Sequence, residues 1–200
     1  MTSPPALFYD TYYHIYNRGT NRENIFVQER NYEHFMRLYA KYIDPVADTF
    51  AYCLLRNHFH LLVRIRSEEE ILCDKETLKI SSNKLEKPLR SDKHLDPDHA
   101  SRKFSNFFNA YAKAINSAYG RTGSLFQHPF GRVMVTSDRQ FWNVIAYIHQ
   151  NRQKHGFVKD FRDWKYSSYG LILSGKPTFA QSAYVLEWFG GKEQYLALHS

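Results

Sequence analysis

The chain's 200 residues suffice for one well-filled core and are too few for two ordinary domains, so one domain with embellishments and a single active site is expected. Lys and Arg number 27 against 20 for Asp and Glu, a formal charge of +7, which suits a polyanionic partner and disfavours an acidic-surface function. Two cysteines without a CxxC pair exclude a cysteine-zinc module or dithiol redox chemistry, and no run nears the roughly 18 apolar residues of a membrane span.

Met1 to Asp10 lacks a basic region followed by an apolar run, so a reducing, cytoplasmic location without membrane association is expected. Aromatic residues make up 16% of the chain, a share that either fills a ring-rich core or offers surfaces on which unpaired bases stack.

Taken in order, Thr11 to Asn17 reads as a first strand, with Tyr13, Ile15 and Asn17 on one face, and Arg18-Gly19-Thr20-Asn21 supplies turn chemistry. From Asn31, Phe35, Leu38, Tyr39, Tyr42 and Ile43 recur at helical spacing until Pro45. Asp48 to Leu55 and His58 to Arg66 read as an antiparallel hairpin joined by Arg56-Asn57. Ser67 to Asp98 mixes charges of both signs with two prolines and reads as a loop or partly ordered insertion.

A second helix is predicted from about Asp98 to Tyr119, with Phe104, Phe107, Phe108, Tyr111 and Ile115 on one stripe and Gly120 ending it. Phe126 to Val135 reads as a strand with an edge or bulged start at Pro129. Asp138 opens a third helix, Ser174-Gly175-Lys176-Pro177 marks a turn, and a short apolar stretch spans Tyr184 to Phe189. The order implies an α+β, ferredoxin-like βαββαβ antiparallel sheet with helices on one face plus an added C-terminal helix. The expected division is one domain over 1–173, with 67–98 inserted and 174–200 a tail.

Two groups of residues carry chemistry. His58 and His60 lie two apart on a strand, so both imidazoles share a face, either as a divalent-metal pair or as two satisfied polar side chains. On the third helix Phe141, Val144, Ile145 and Ile148 form the apolar stripe, while Gln140, Asn143, Tyr147 and Asn151 line a polar one. Tyr147 and Asn151, at i and i+4, stand one above the other; they either meet one phosphate and metal, or finish the core edge and the helix.

Four blocks resemble a known family: YHIYNRGTNRENIF (Tyr13 to Phe26), NHFHLLV (Asn57 to Val63), YIHQNRQKHGFV (Tyr147 to Val158) and WKYSSYG (Trp164 to Gly170). In this order and spacing, over most of residues 12 to 169, they are similar to the REP-associated tyrosine transposases, relatives of single-tyrosine transposases that mobilise single-stranded DNA. The resemblance implies that His58 and His60 form an HUH motif, that Tyr147 is the nucleophile, and that Asn151 is a third ligand of Mg²⁺ or Mn²⁺. It also implies a hairpin or single-stranded DNA substrate, and leaves monomer and homodimer open. Relatives usually read Asn-Pro at this place, where this chain has Asn151-Arg152.

Metal-assisted attack by a tyrosine would yield a phosphotyrosine and a free 3′-hydroxyl. A free phenol ionises near pH 10, so a proton acceptor is needed that the sequence does not name; His149, two residues along the helix, points away. Arg18, Arg22, Arg56 and Arg132 flank strand ends near the histidines and are the expected nucleic-acid contacts, ahead of Lys113 and Arg121. Two other readings stay open: a metal-independent RNA endonuclease, which ferredoxin-like domains with histidines also support, and a domesticated binding protein that no longer cuts.

Overall fold

The computed structural model describes residues 6–81, 94–154, 160–175 and 179–199. Strands β1 (Tyr12–Arg18), β2 (Ala47–Leu55), β3 (His58–Ile65) and β4 (Gly131–Val135) form one antiparallel sheet in the order β2-β3-β1-β4. Helix α1 (Glu29–Tyr42) joins β1 to β2, and α3 (His99–Tyr119) precedes β4. Asn31 is the third residue of α1 rather than its start: its side-chain oxygen accepts from the Val27 and Gln28 amides at 3.0 and 2.8 Å, as in a capping box. Gly120 ends α3 in the left-handed conformation at φ 60°, which a side chain would disfavour.

Strand pairing sorts the side chains into two faces. Tyr13, Ile15, Phe59, Leu61 and Val63 point to one, where α1 and α3 cover them. This core is built of rings: Phe35 meets Phe107 edge-on at 4.7 Å and packs 5.2 Å from Phe59, which places many of the chain's aromatics in its interior. A bulge between Thr49 and Ala51 turns Phe50 and Ala51 both to the opposite face and carries Cys53 and Leu55 with them.

That second face is also covered, so the helices do not all lie on one side. Helix α4 (Asp138–Lys154) lays Phe141, Ile145 and Ile148 against Phe50, Ala51 and Leu62. Three short helices join it: α5 (Tyr169–Ser174), α6 (Ser182–Trp188) and α7 (Lys192–Leu198), which contribute Ile172, Val185 and Tyr195 to the same core. The described residues of the stretch read as a tail are therefore packed. The segment before them also covers the outer edge of β2: Leu54 N donates to Tyr166 O at 2.9 Å, Ser168 N to Tyr52 O at 3.0 Å and Trp164 Nε1 to Leu54 O at 2.9 Å. An edge strand is thus denied to other chains.

Two predicted elements differ. The Ser67–Asp98 segment begins with α2 (Glu68–Ser81), fastened by ion pairs of Arg64 with Glu70 and Arg66 with Asp74 at 2.8 and 2.6 Å. Phe126–Phe130 is not strand but a connection, tied to β1 through the Gly19–Phe126 bridge. Residues 82–93, His155-Gly156 and Lys176-Pro177 lie outside the described residues. Among those described, no helix is long and apolar enough to cross a membrane.

Behind α4 the chain end is held by a buried polar chain. His149 Nδ1 lies 2.8 Å from His199 Nε2, His149 Nε2 lies 2.8 Å from Ser168 Oγ, and His199 Nδ1 lies 2.7 Å from Tyr195 O. Burial holds both imidazoles below their ordinary range, His149 well below it with the neighbouring His199 adding to the effect. The unfolded chain therefore takes up protons below about pH 6.5 that the folded chain refuses, and stability, full above that pH, falls as pH drops through it. Urea unfolding at pH 7.5, 6.5 and 5.5 should show a level midpoint and then a decline, by up to about 1.4 kcal/mol per pH unit for each histidine. His199→Gln should flatten that slope; a wild-type midpoint unchanged down to pH 5.5 would contradict the assignment.

Candidate metal and nucleic-acid site

The antiparallel register sets the site. On β1 and β3 the pairs Arg18–His58 and Tyr16–His60 stand side by side, with His14 opposite Leu62, so all of these face α4. Helix α4 crosses the same face with its apolar stripe inward, which leaves Asn151 over His58 and Tyr147 at the mouth. Asn151 is 1% exposed and Tyr147 39%, a buried amide and an accessible phenol four residues apart.

His58 Nε2 lies 3.1 Å from Asn151 Oδ1 and its Nδ1 lies 2.6 Å from Asn57 Oδ1. His60 Nδ1 lies 2.9 Å from His14 Nε2. The ring of Tyr147 stands edge-on to His60 and His14, with centroids 5.4 and 5.8 Å away. Burial pushes the His14 imidazole down to about 4, so it is neutral near pH 7.

His58, His60 and Tyr147 border a cavity of about 390 Å³ lined also by Tyr16, Arg18 and Gln127, with Asn17, Pro129 and Gly131 completing its wall. Its size accommodates a nucleotide-sized group, and its lining mixes rings, amides and a guanidinium.

The donor set fits a hard divalent cation. Among the described residues no three His, Cys, Asp or Glu side chains are arranged to hold a metal ion, so the candidate set is two imidazoles and one amide oxygen. His58 meets an asparagine amide at each ring nitrogen, yet a neutral imidazole has one N–H, so its other nitrogen offers a lone pair that an amide N–H, a proton or a cation can take.

The predicted arginines separate. Arg18 lines the cavity, whereas Arg22 and Arg56 are exposed on the connections after β1 and before His58. Arg132 pairs with Ile15 and so belongs to the opposite face of the sheet, its guanidinium 3.8 Å over the Phe130 ring. Lys113 is exposed on α3 and Arg121 forms an ion pair with Glu23. Gln127 and Pro129 were not anticipated, because their segment reads as strand.

Tyr16, His14 and Gly131 also escaped the sequence reading, although the alternation that puts Tyr13 and Ile15 inward puts His14 and Tyr16 on the histidine face. Gly131 is the floor on which the Tyr16 ring lies: a Cβ there would stand 2.3 Å from that ring. Gly131→Ala should cost about 1–3 kcal/mol by overpacking, read in urea unfolding. In a Tyr16→Ala background the cost should vanish, since the clash is with that ring; an equal cost in both backgrounds would place the strain elsewhere.

No protein-family profile matches the chain. A Haemophilus influenzae protein described as a REP-associated tyrosine transposase is 26% identical over 122 residues, which are 61% of this chain. The chain spans 58% of the length of that curated relative. Among solved structures, a REP-associated tyrosine transposase bound to a REP hairpin superposes with a TM-score of 0.60 at 14% identity, covering 88% of each chain. Sequence and fold together make this chain a distant homologue of the REP-associated tyrosine transposases, with the α+β architecture of a four-stranded antiparallel sheet and packed helices.

Proposed function

We propose that the protein is a metal-dependent single-stranded DNA endonuclease and strand transferase of the single-tyrosine HUH kind. The observation that carries this reading is that His58, His60 and the exposed Tyr147 line one cavity while the buried amide of Asn151 lies 3.1 Å behind His58. The sheet order β2-β3-β1-β4 agrees with a ferredoxin-like βαββαβ core within 1–173, to which α4 adds the tyrosine and helices α6 and α7 a backing. The hairpin bound to the solved homologue supports hairpin DNA with a short unpaired stretch as the substrate class. A cytoplasmic location suits that substrate.

In this reading His58, His60 and Asn151 hold Mg²⁺ or Mn²⁺; the imidazoles favour Mn²⁺ in affinity. When bound, the cation supplies polarisation of the scissile phosphate and offsets charge on its oxygens. Tyr147 attacks phosphorus in line, the bond to the 3′ oxygen breaks, and that oxygen leaves as a hydroxyl after taking a proton. A phosphotyrosine and a free 3′-hydroxyl result, and attack by a 3′-hydroxyl on the same linkage rejoins strands. Arg18, at the cavity wall, balances backbone phosphate, and Arg22 and Arg56, exposed on the flanking connections, extend the contact along the strand. Arg132, on the far face, has no part in this cavity.

The test is a denaturing gel of protein mixed with Mn²⁺ and hairpin DNA labelled at its 3′ end, the end that stays with the phosphotyrosine. Wild type should form a covalent adduct that EDTA abolishes, and Tyr147→Phe should lose it by at least about 10³-fold. An adduct persisting in Tyr147→Phe would dismiss the nucleophile. EDTA-resistant cleavage of the matching RNA hairpin would favour a metal-independent ribonuclease, and tight hairpin binding without any cleavage a binding protein.

A further inference from the structure

His14 is a polar residue in a place that favours an aliphatic one. On β1 it stands between Leu62 of β3 and Val133 of β4, facing the half-covered side of the sheet. A β-branched side chain would fit such a strand position without desolvating a ring nitrogen. The imidazole is justified there only by what its nitrogens meet, and Nε2 meets Nδ1 of His60 at 2.9 Å. The ring centroids are 5.1 Å apart and the planes differ by 28°, as for two imidazoles meeting nitrogen to nitrogen at their edges.

The partner histidine is held in the corresponding way. Asn57 Oδ1 stands 2.6 Å from Nδ1 of His58, so each histidine of the pair has its Nδ1 against a neighbouring side chain. A histidine that ligates through Nε2 carries its proton on Nδ1, and that N–H needs an acceptor to fix the tautomer and the ring plane. Asn57 is such an acceptor for His58. For His60 the place is occupied by a nitrogen of another imidazole, which can accept only if its own proton is on Nδ1.

We infer that His14 is the positioning residue of His60, accepting the Nδ1–H of His60 on its own Nε2 and thereby directing His60 Nε2 to the metal. The inference rests on the metal reading proposed above, and adds to it a fixed proton on Nδ1 of both rings. His14 itself is not among the residues that line the cavity.

The test needs no DNA. Mn²⁺ binding to the full chain is followed by the electron paramagnetic resonance of free Mn²⁺, beside thermal melts of the metal-free proteins. His14→Leu should melt near wild type yet bind Mn²⁺ about 10- to 100-fold more weakly, while His14→Gln, whose side-chain oxygen can accept the same proton, should stay within about threefold. Wild-type affinity in His14→Leu, or equal loss in the Gln and Leu variants, overturns the assignment.

Should His14→Leu not fold, long-range ¹H–¹⁵N spectra of the wild type with Mg²⁺ decide: both His14 and His60 are expected protonated at Nδ1, and a His14 protonated at Nε2 overturns the inference. A wild type whose Mn²⁺ binding is absent, or unchanged by His58→Ala, defeats the metal site itself and this role with it. That outcome is distinct from loss confined to the His14 variants.

Discussion

The register between β1 and β3 governs the whole site. Because successive residues of a strand face opposite ways, a slip of one residue would turn His58 and His60 into the aromatic core and bring Phe59, Leu61, Val63 and Ile65 out of it. Those four side chains would then be forced into the second core, where Leu62 already packs under α4, and both cores would lose their complementary packing. The histidines are thus held in place by residues that touch no ligand. Phe59, between them in sequence and fully buried between Phe35 and Phe108, does most to fix which face they take.

Helix α4 solves a different problem, presenting a buried amide and an exposed phenol from one rigid element. Positions four apart on a helix differ by about 40° in direction. With Phe141, Ile145 and Ile148 anchored, that offset is enough to leave Asn151 over His58 and Tyr147 at the opening. The other flank of α4 is gripped through His149 by Ser168 and His199. The WKYSSYG block and the chain end therefore act structurally, capping the edge of β2 and backing the tyrosine helix, even though neither borders the cavity.

What the sequence made legible was whatever buried apolar residues repeat periodically: the hairpin, both long helices, and the facing of His58 with His60. The bulge at Phe50 was not legible, because one extra residue leaves composition unchanged while reversing the phase of Cys53 and Leu55. Helix α2 was obscured by weak amphipathicity, since ion pairs with Arg64 and Arg66 rather than an apolar stripe fasten it. Its start did carry a signal: Ser67 and Glu70 form a reciprocal capping box, Ser67 N donating to Glu70 Oε2 and Glu70 N to Ser67 Oγ. Arg132 shows the opposite failure. Its proximity to the histidines in the strand order was legible, but its face depended on where β4 begins, and Phe126–Phe130 proved to be a connection.

The substitution of Arg152 for the proline usual in relatives bears directly on Asn151. A proline forces the preceding residue away from helical backbone angles, so an asparagine before proline sits at a helix end. Here α4 continues through Lys154, and Asn151 remains within the same helical frame as Tyr147. The i to i+4 relation between phenol and amide is then fixed by backbone hydrogen bonds rather than by a helix terminus. The departure that left the placing of Asn151 in question in the sequence instead carries the helix past it, and the amide stays 3.1 Å from His58.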